Sequence, residues 1–149
     1  MSDYLGVNAT KAATPTSENI LSPGLLGGKV RCMVDTYEAA AVAATKTIQM
    51  GQALPVGAKI LGMKVAFDDL SAGGATIDIG DADDDDRYMS AVDVDTAASN
   101  SDAILVDGLG YTILGTGLIS GGDDTKILIL VNTAAITGTI KLVVFYTVE

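Results

Sequence analysis

The chain has 149 residues, 19 acidic and 9 basic, and a formal net charge of −10. With no histidine, one cysteine and no tryptophan, it lacks the commonest general base, an intrachain disulfide and the ligands of most zinc sites. Its acidity also argues against a nucleic-acid or anionic-membrane partner, since both are bound by clustered Lys and Arg.

Residues 1–27 are rich in turn-forming types, among them Gly6, Asn8, Pro15, Ser17, Pro23 and Gly24. Only Ile20, Leu21, Leu25 and Leu26 there are suited to packing, which predicts an extended N-terminal arm. The first residues, MSDYLGVNATK, show neither the basic nor the apolar region of a signal peptide. No apolar run nears the ~18 residues of a membrane span. A soluble cytoplasmic chain is expected, and a lone thiol fits a reducing compartment.

From residue 28 onward the dominant period is two, so residues 28–149 read as one β domain. Lys29–Glu38 alternates, with Val30, Cys32, Val34 and Thr36 on one face and Lys29, Arg31, Met33 and Asp35 on the other. This predicts a strand with Cys32 on its apolar side, buried and inert. Glu38–Thr45, EAAAVAAT, has helical propensity but is too short for a helix alone, so one helical turn or a loop is expected. Ile60–Asp68 predicts a strand that turns Leu61, Met63, Val65 and Phe67 inward. Ala75–Gly80 places Ile77 and Ile79 inward. Arg87–Val92, Ile104–Val106 and Tyr111–Leu114 are shorter strand candidates. Lys126–Asn132 and Gly138–Val148 are the strongest strand candidates, the latter with Ile140, Leu142, Val144, Tyr146 and Val148 on one side.

Turn signals separate these runs, at Pro55-Val56-Gly57, Ala72-Gly73-Gly74, Asp107-Gly108 and Gly121-Gly122-Asp123. About eight short strands without intervening helical periods indicate an all-β fold, an antiparallel β-sandwich or barrel. The high apolar content, 48%, exceeds the needs of one small core and points to assembly with other subunits.

Charge is concentrated in one flank. Residues 68–107 hold 12 acidic residues against Arg87 alone, and the rest of the chain is close to neutral. At its centre stands Asp81-Ala82-Asp83-Asp84-Asp85-Asp86-Arg87. Clustered carboxylates suit calcium, and Asp81, Asp83 and Asp85 match the first three ligand positions of an EF-hand loop. The match fails at Asp86, where glycine makes the turn, and at Val92, where a bidentate glutamate is needed. The run therefore reads mainly as a solvated acidic loop, with Asp81, Asp83 and Asp85 as weak metal candidates. Arg87 is expected to pair locally with these aspartates.

No catalytic or cofactor-binding residue emerges. The strings from Gly24 to Val30 and from Gly115 to Gly121 miss the spacing of phosphate and dinucleotide loops. No base is marked for any serine, threonine or Cys32.

Several strings resemble small virion proteins of tailed bacteriophages, the capsid decoration (cement) proteins. They are YLGVNATK at Tyr4–Lys11, KVRCMVDTYEA at Lys29–Ala39, LPVGAKILG at Leu54–Gly62, ATIDIGDADDDDRYM at Ala75–Met89, and VVFYTV at Val143–Val148. The resemblance implies a jelly-roll-like sandwich, trimeric, on the outer surface of a phage head. Its partners would be the major capsid protein and its own copies, in the virion after a stay in the host cytoplasm. It implies no enzymatic activity and no cofactor. A tail, neck or head-fibre component and a calcium-dependent binding module are the alternative readings.

Overall fold

A computed structural model of the chain describes residues 28–71, 73–100, 104–115 and 123–148. The predicted N-terminal arm lies outside the described residues. Within them the fold is all-β: eight strands in two antiparallel four-stranded sheets. In chain order they are β1 (Val30–Val42), β2 (Thr47–Met50), β3 (Lys59–Phe67), β4 (Thr76–Gly80), β5 (Met89–Asp93), β6 (Ala98–Asn100), β7 (Ile127–Asn132) and β8 (Ile136–Thr147).

One sheet has the order β1-β8-β3-β6, the other β2-β7-β4-β5. The pairs β1 with β8, β2 with β7, β3 with β6 and β4 with β5 nest inside one another. A long antiparallel ribbon of four nested pairs is thus wound across two sheets, which makes the fold the antiparallel sandwich and not a closed barrel. The facing surfaces hold the core. Met63, Val65, Ile140, Leu142 and Val144 come from one sheet, and Met50, Ile77, Ile79, Ile127, Ile129 and Val131 from the other, all buried.

Two of the expected strands bury alternate residues. β7 buries Ile127, Ile129 and Val131, and β4 buries Ile77 and Ile79. Elsewhere the register of a neighbour overrides the local pattern. β3 carries an irregularity between Ile60 and Gly62. This extra residue shifts the phase, so Ile60 is buried and Leu61 is only half-buried, while Met63, Val65 and Phe67 point inward as expected.

β1 differs most. Its pairing sets Met33 opposite Val144 and Asp35 opposite Leu142, so these two face the core side. Val30 and Val34 are therefore exposed, at 61% and 64%, and Cys32 is exposed rather than buried. Asp35 is accommodated there because its Oδ2 accepts the Gly51 N–H at 2.6 Å. Nor does the Ala-rich stretch form a helical turn or loop. β1 continues through Val42, with Glu38 opposite Thr139 and a break in register before Val42, where Ala41 has φ +54°. Ladder bonds to a long neighbour outweigh the small propensity of a few alanines.

Two short predictions also shift. Ile104–Val106 is irregular and leads into the turns of residues 106–110, and Tyr111–Leu114 forms only an isolated bridge between Thr112 and Lys59. The third strand of that region is instead Ala98–Asn100, and Thr47–Met50 is a strand that lacks a strong sequence pattern.

Candidate functional site

Three connections are bound together beside β3 and β5: the β2–β3 segment, the acidic β4–β5 loop, and residues 104–115 after β6. Main-chain hydrogen bonds join them. Gly57 N–H donates to the Ile113 carbonyl at 2.8 Å, and Ile113 N–H to that of Ala58 at 2.8 Å. Gly110 N–H donates to Ile60 at 2.7 Å, and Leu105 N–H to Tyr88 at 2.7 Å.

The acidic loop is tightly wound. Asp81 is buried, and its Oδ1 accepts the N–H groups of Asp83 at 2.9 Å and Asp84 at 3.0 Å. Its Oδ2 accepts Arg87 Nε at 2.6 Å. Arg87 also reaches Asp83 at 3.5 Å and Asp84 at 3.9 Å. The local pairing of Arg87 is thus as expected, but it is a nearly buried pair and not a surface one: the Asp81 side chain has no exposed area and that of Arg87 one-tenth. Burial works against the Arg87 charge, yet the Asp81 bond and charge outweigh it and raise its pKa.

Arg87 stacks on Tyr111, with Cζ 4.1 Å from the ring centroid. The Tyr111 hydroxyl donates to Asp124 Oδ2 at 2.9 Å. Asp124, fully buried, also accepts the N–H groups of Leu114 at 2.7 Å and Gly115 at 2.8 Å. Burial and then the Asp124 bond push the Tyr111 phenol up to about 12. The chain Asp81–Arg87–Tyr111–Asp124 therefore pins the acidic loop to the segment before β7. Two glycines are required by this packing. A Cβ at Gly80 would lie 2.1 Å from the Asp84 carbonyl oxygen, and one at Gly108 would lie 2.6 Å from the Tyr88 ring.

The three metal candidates are not brought together as ligands. Both Asp81 oxygens are committed to Arg87 and to main-chain donors, Asp83 is engaged with Arg87, and Asp85 is exposed. The carboxylates that converge are those of Asp84, Asp85 and Asp86, whose ligand atoms lie within 4.8 Å of one another. Burial, and then a hydrogen bond with Asp86, raises the Asp84 pKa. Asp124 is the functional group the sequence did not mark. It sits in a Gly-Gly-Asp-Asp turn signal, and only the fold delivers three donors to it.

This scaffold presents apolar side chains to solvent. Of eight exposed large apolar residues among those described, five lie here: Val56, Leu105, Val106, Leu109 and Leu114. The other three, Val30, Val34 and Tyr37, lie on β1. Val106 is the most exposed, at 86%. Exposed apolar side chains gathered on three hydrogen-bonded connections make this end of the fold a candidate contact surface.

No family model and no curated protein matches the sequence. Solved structures do. A chain of the capsid asymmetric unit of cyanophage Pam1 is similar at 23% identity and a TM-score of 0.65, over 91% of this chain and 99% of that one. A chain of the capsid of Ralstonia phage GP4 is similar at 21% identity and a TM-score of 0.59, over 82% and 86%. The chain shares its fold with these two chains.

Proposed function

We infer that the chain is a non-enzymatic structural protein of a phage virion, and within the virion a head decoration (cement) protein. The observation that carries this reading is the likeness to the Pam1 capsid chain, which spans 99% of that chain and 91% of this one. The likeness thus extends over nearly the whole of both chains.

The exposed apolar residues Val56, Val106, Leu109 and Leu114 support it. In this role they bury against the major capsid protein on the outer surface of the head. The Asp81–Arg87–Tyr111–Asp124 chain supplies the stiffness that keeps the ordering cost of binding low. A homotrimer bridging several capsid subunits would gain avidity, since release requires breaking several contacts. The acidic run lies beside the apolar group, joined to residues 104–115 through Arg87, Tyr111 and the Leu105–Tyr88 hydrogen bond, so its carboxylates would form a polar rim.

The test is the copy number in purified phage particles relative to the major capsid protein. A near-equimolar ratio is expected, and Val106→Asp with Leu109→Asp should lower it. A handful of copies per particle would overturn the decoration role in favour of a tail or neck position.

A further inference from the structure

Four strands edge the two sheets, and three of them are short: β2, β5 and β6 have 4, 5 and 3 residues. β1 is 13 residues long and has no proline, and its outer edge has no partner among the described residues. It thus lacks the shortness and the proline that close a sheet edge to further pairing. The direction of its backbone groups follows from β8. Thr139 accepts the Asp68 N–H at 3.1 Å, so its groups turn toward the β3 side. Its β1 partner Glu38, and Thr36, Val34, Cys32 and Val30 in phase with it, therefore turn to the free edge.

A groove of about 520 Å³ runs along this edge, lined by Cys32–Asp35 and, among others, Gly51 and Leu54. Successive strand residues point to opposite faces, so four in a row can line one groove only along the strand's edge. Arg31, exposed, and Asp35, half-buried, share the core-side face with Met33. The Gly51 N–H fixes the Asp35 carboxylate there. The other face carries Val30 and Val34, exposed at 61% and 64%, with Cys32 between them.

We propose that β1 pairs antiparallel with β1 of a second copy, about a two-fold axis at Met33. The strand is complementary to itself in this register. Arg31 opposes Asp35 of the second copy, and Asp35 opposes its Arg31, so the strand's opposite charges meet twice. On the other face Val30 opposes Thr36, and Cys32 opposes Val34. Residues whose backbone groups face the free edge oppose one another, as ladder bonds require. Thr36 N–H, bonded to Asp35 Oδ1 at 2.8 Å in the single chain, would pass to the Val30 carbonyl of the second copy and release that oxygen for Arg31. Centring the axis on Val34 instead sets Val30 against Glu38 and Met33 against Asp35, with no ion pair. Centring it on Cys32 leaves only Val30–Val34 of the strand paired. Centring it on Arg31 or Asp35 opposes like charges. A two-fold contact of this kind is distinct from the contacts of a three-fold homotrimer and would join one trimer to the next.

The test is disulfide capture in the full-length protein. Cys32 is the chain's only cysteine, so Cys32→Ser, Met33→Cys leaves one thiol, at the axis. The two copies of that thiol would stand about 4.5 Å apart at Cα, within disulfide reach. Oxidation with copper-phenanthroline should give a covalent dimer. In the wild type the two Cys32 residues would lie on a diagonal, about 7–8 Å apart, and should crosslink at least about tenfold more slowly. Adding Arg31→Glu sets like charges against each other twice and should slow capture about tenfold. No dimer from the Met33→Cys variant, faster capture in the wild type, or indifference to Arg31→Glu overturns the proposal. Amide exchange in the unmodified protein is a second measurement. Exchange at Val30, Cys32 and Val34 should quicken on dilution. Slow exchange that dilution leaves unchanged overturns the pair and gives the edge to a segment of the same chain.

Discussion

Replacing Arg87 with methionine tests the claim that the acidic loop is a structural knot. The substitution keeps most of the stem but removes the guanidinium, whose Nε lies 2.6 Å from Asp81 Oδ2. Asp81 would keep two main-chain donors, from Asp83 and Asp84, but its carboxylate has no exposed area with which to recruit solvent. Removing one partner of a buried pair costs about 3–5 kcal/mol. The one-tenth exposure of Arg87 admits some screening and points to the lower end, about 3 kcal/mol. Loss of the stack on Tyr111 adds roughly 0.5–1 kcal/mol. With a urea slope of about 2 kcal/mol per M, the unfolding midpoint read by circular dichroism should fall by roughly 1.5–2 M. The second half of the test is the Asp81→Asn, Arg87→Met double variant. Asparagine keeps an oxygen for the two main-chain donors and carries no charge, so the double variant should lose less than the sum of the singles, by at least about 1.5 kcal/mol. A loss below about 1 kcal/mol for Arg87→Met, or additivity within about 0.5 kcal/mol, would refute the buried-pair account.

Gly80→Ala places a Cβ 2.1 Å from the Asp84 carbonyl oxygen, a backbone atom that cannot swing aside. It should cost about 3 kcal/mol or more, read as a lower melting temperature. Asp124→Ala leaves the Tyr111 hydroxyl and the N–H groups of Leu114 and Gly115 without their acceptor, a loss of about 3 kcal/mol. In an ultraviolet titration the Tyr111 phenol should then move part-way back from about 12 toward its ordinary value of 10.0, since burial remains. Asp84 has a raised pKa, from burial and then the Asp86 bond, so the folded chain holds its proton to higher pH than the unfolded chain. Stability is thus lost as pH rises above 3.8, and Asp84→Asn should raise the melting temperature at pH 7 with a gain that fades below that value. The Asp84 side chain is 40% exposed, which limits the gain to under about 1 kcal/mol.

The sequence by itself determined the class of the fold and most of its core. The alternation of Thr76–Gly80 and the short apolar runs Ile127–Val131 and Leu142–Tyr146 suit buried strands and are too short for core helices. Composition likewise narrowed the chemistry, because no other residue supplies what histidine does near neutral pH. What tertiary structure decided is which face of β1 is inside and which carboxylates are exposed. Alternation in Lys29–Glu38 gathers Val30, Cys32 and Val34 on the apolar face, and the register against Val144 and Leu142, fixed on β8, turned that face outward. The run Asp81–Asp86 looks uniform in sequence. Only the fold distinguishes Asp81, desolvated and bound to Arg87, from Asp85 in solvent, because burial depends on contacts far along the chain such as Tyr111 and Asp124. Local pattern reads out period, and long-range packing assigns partners.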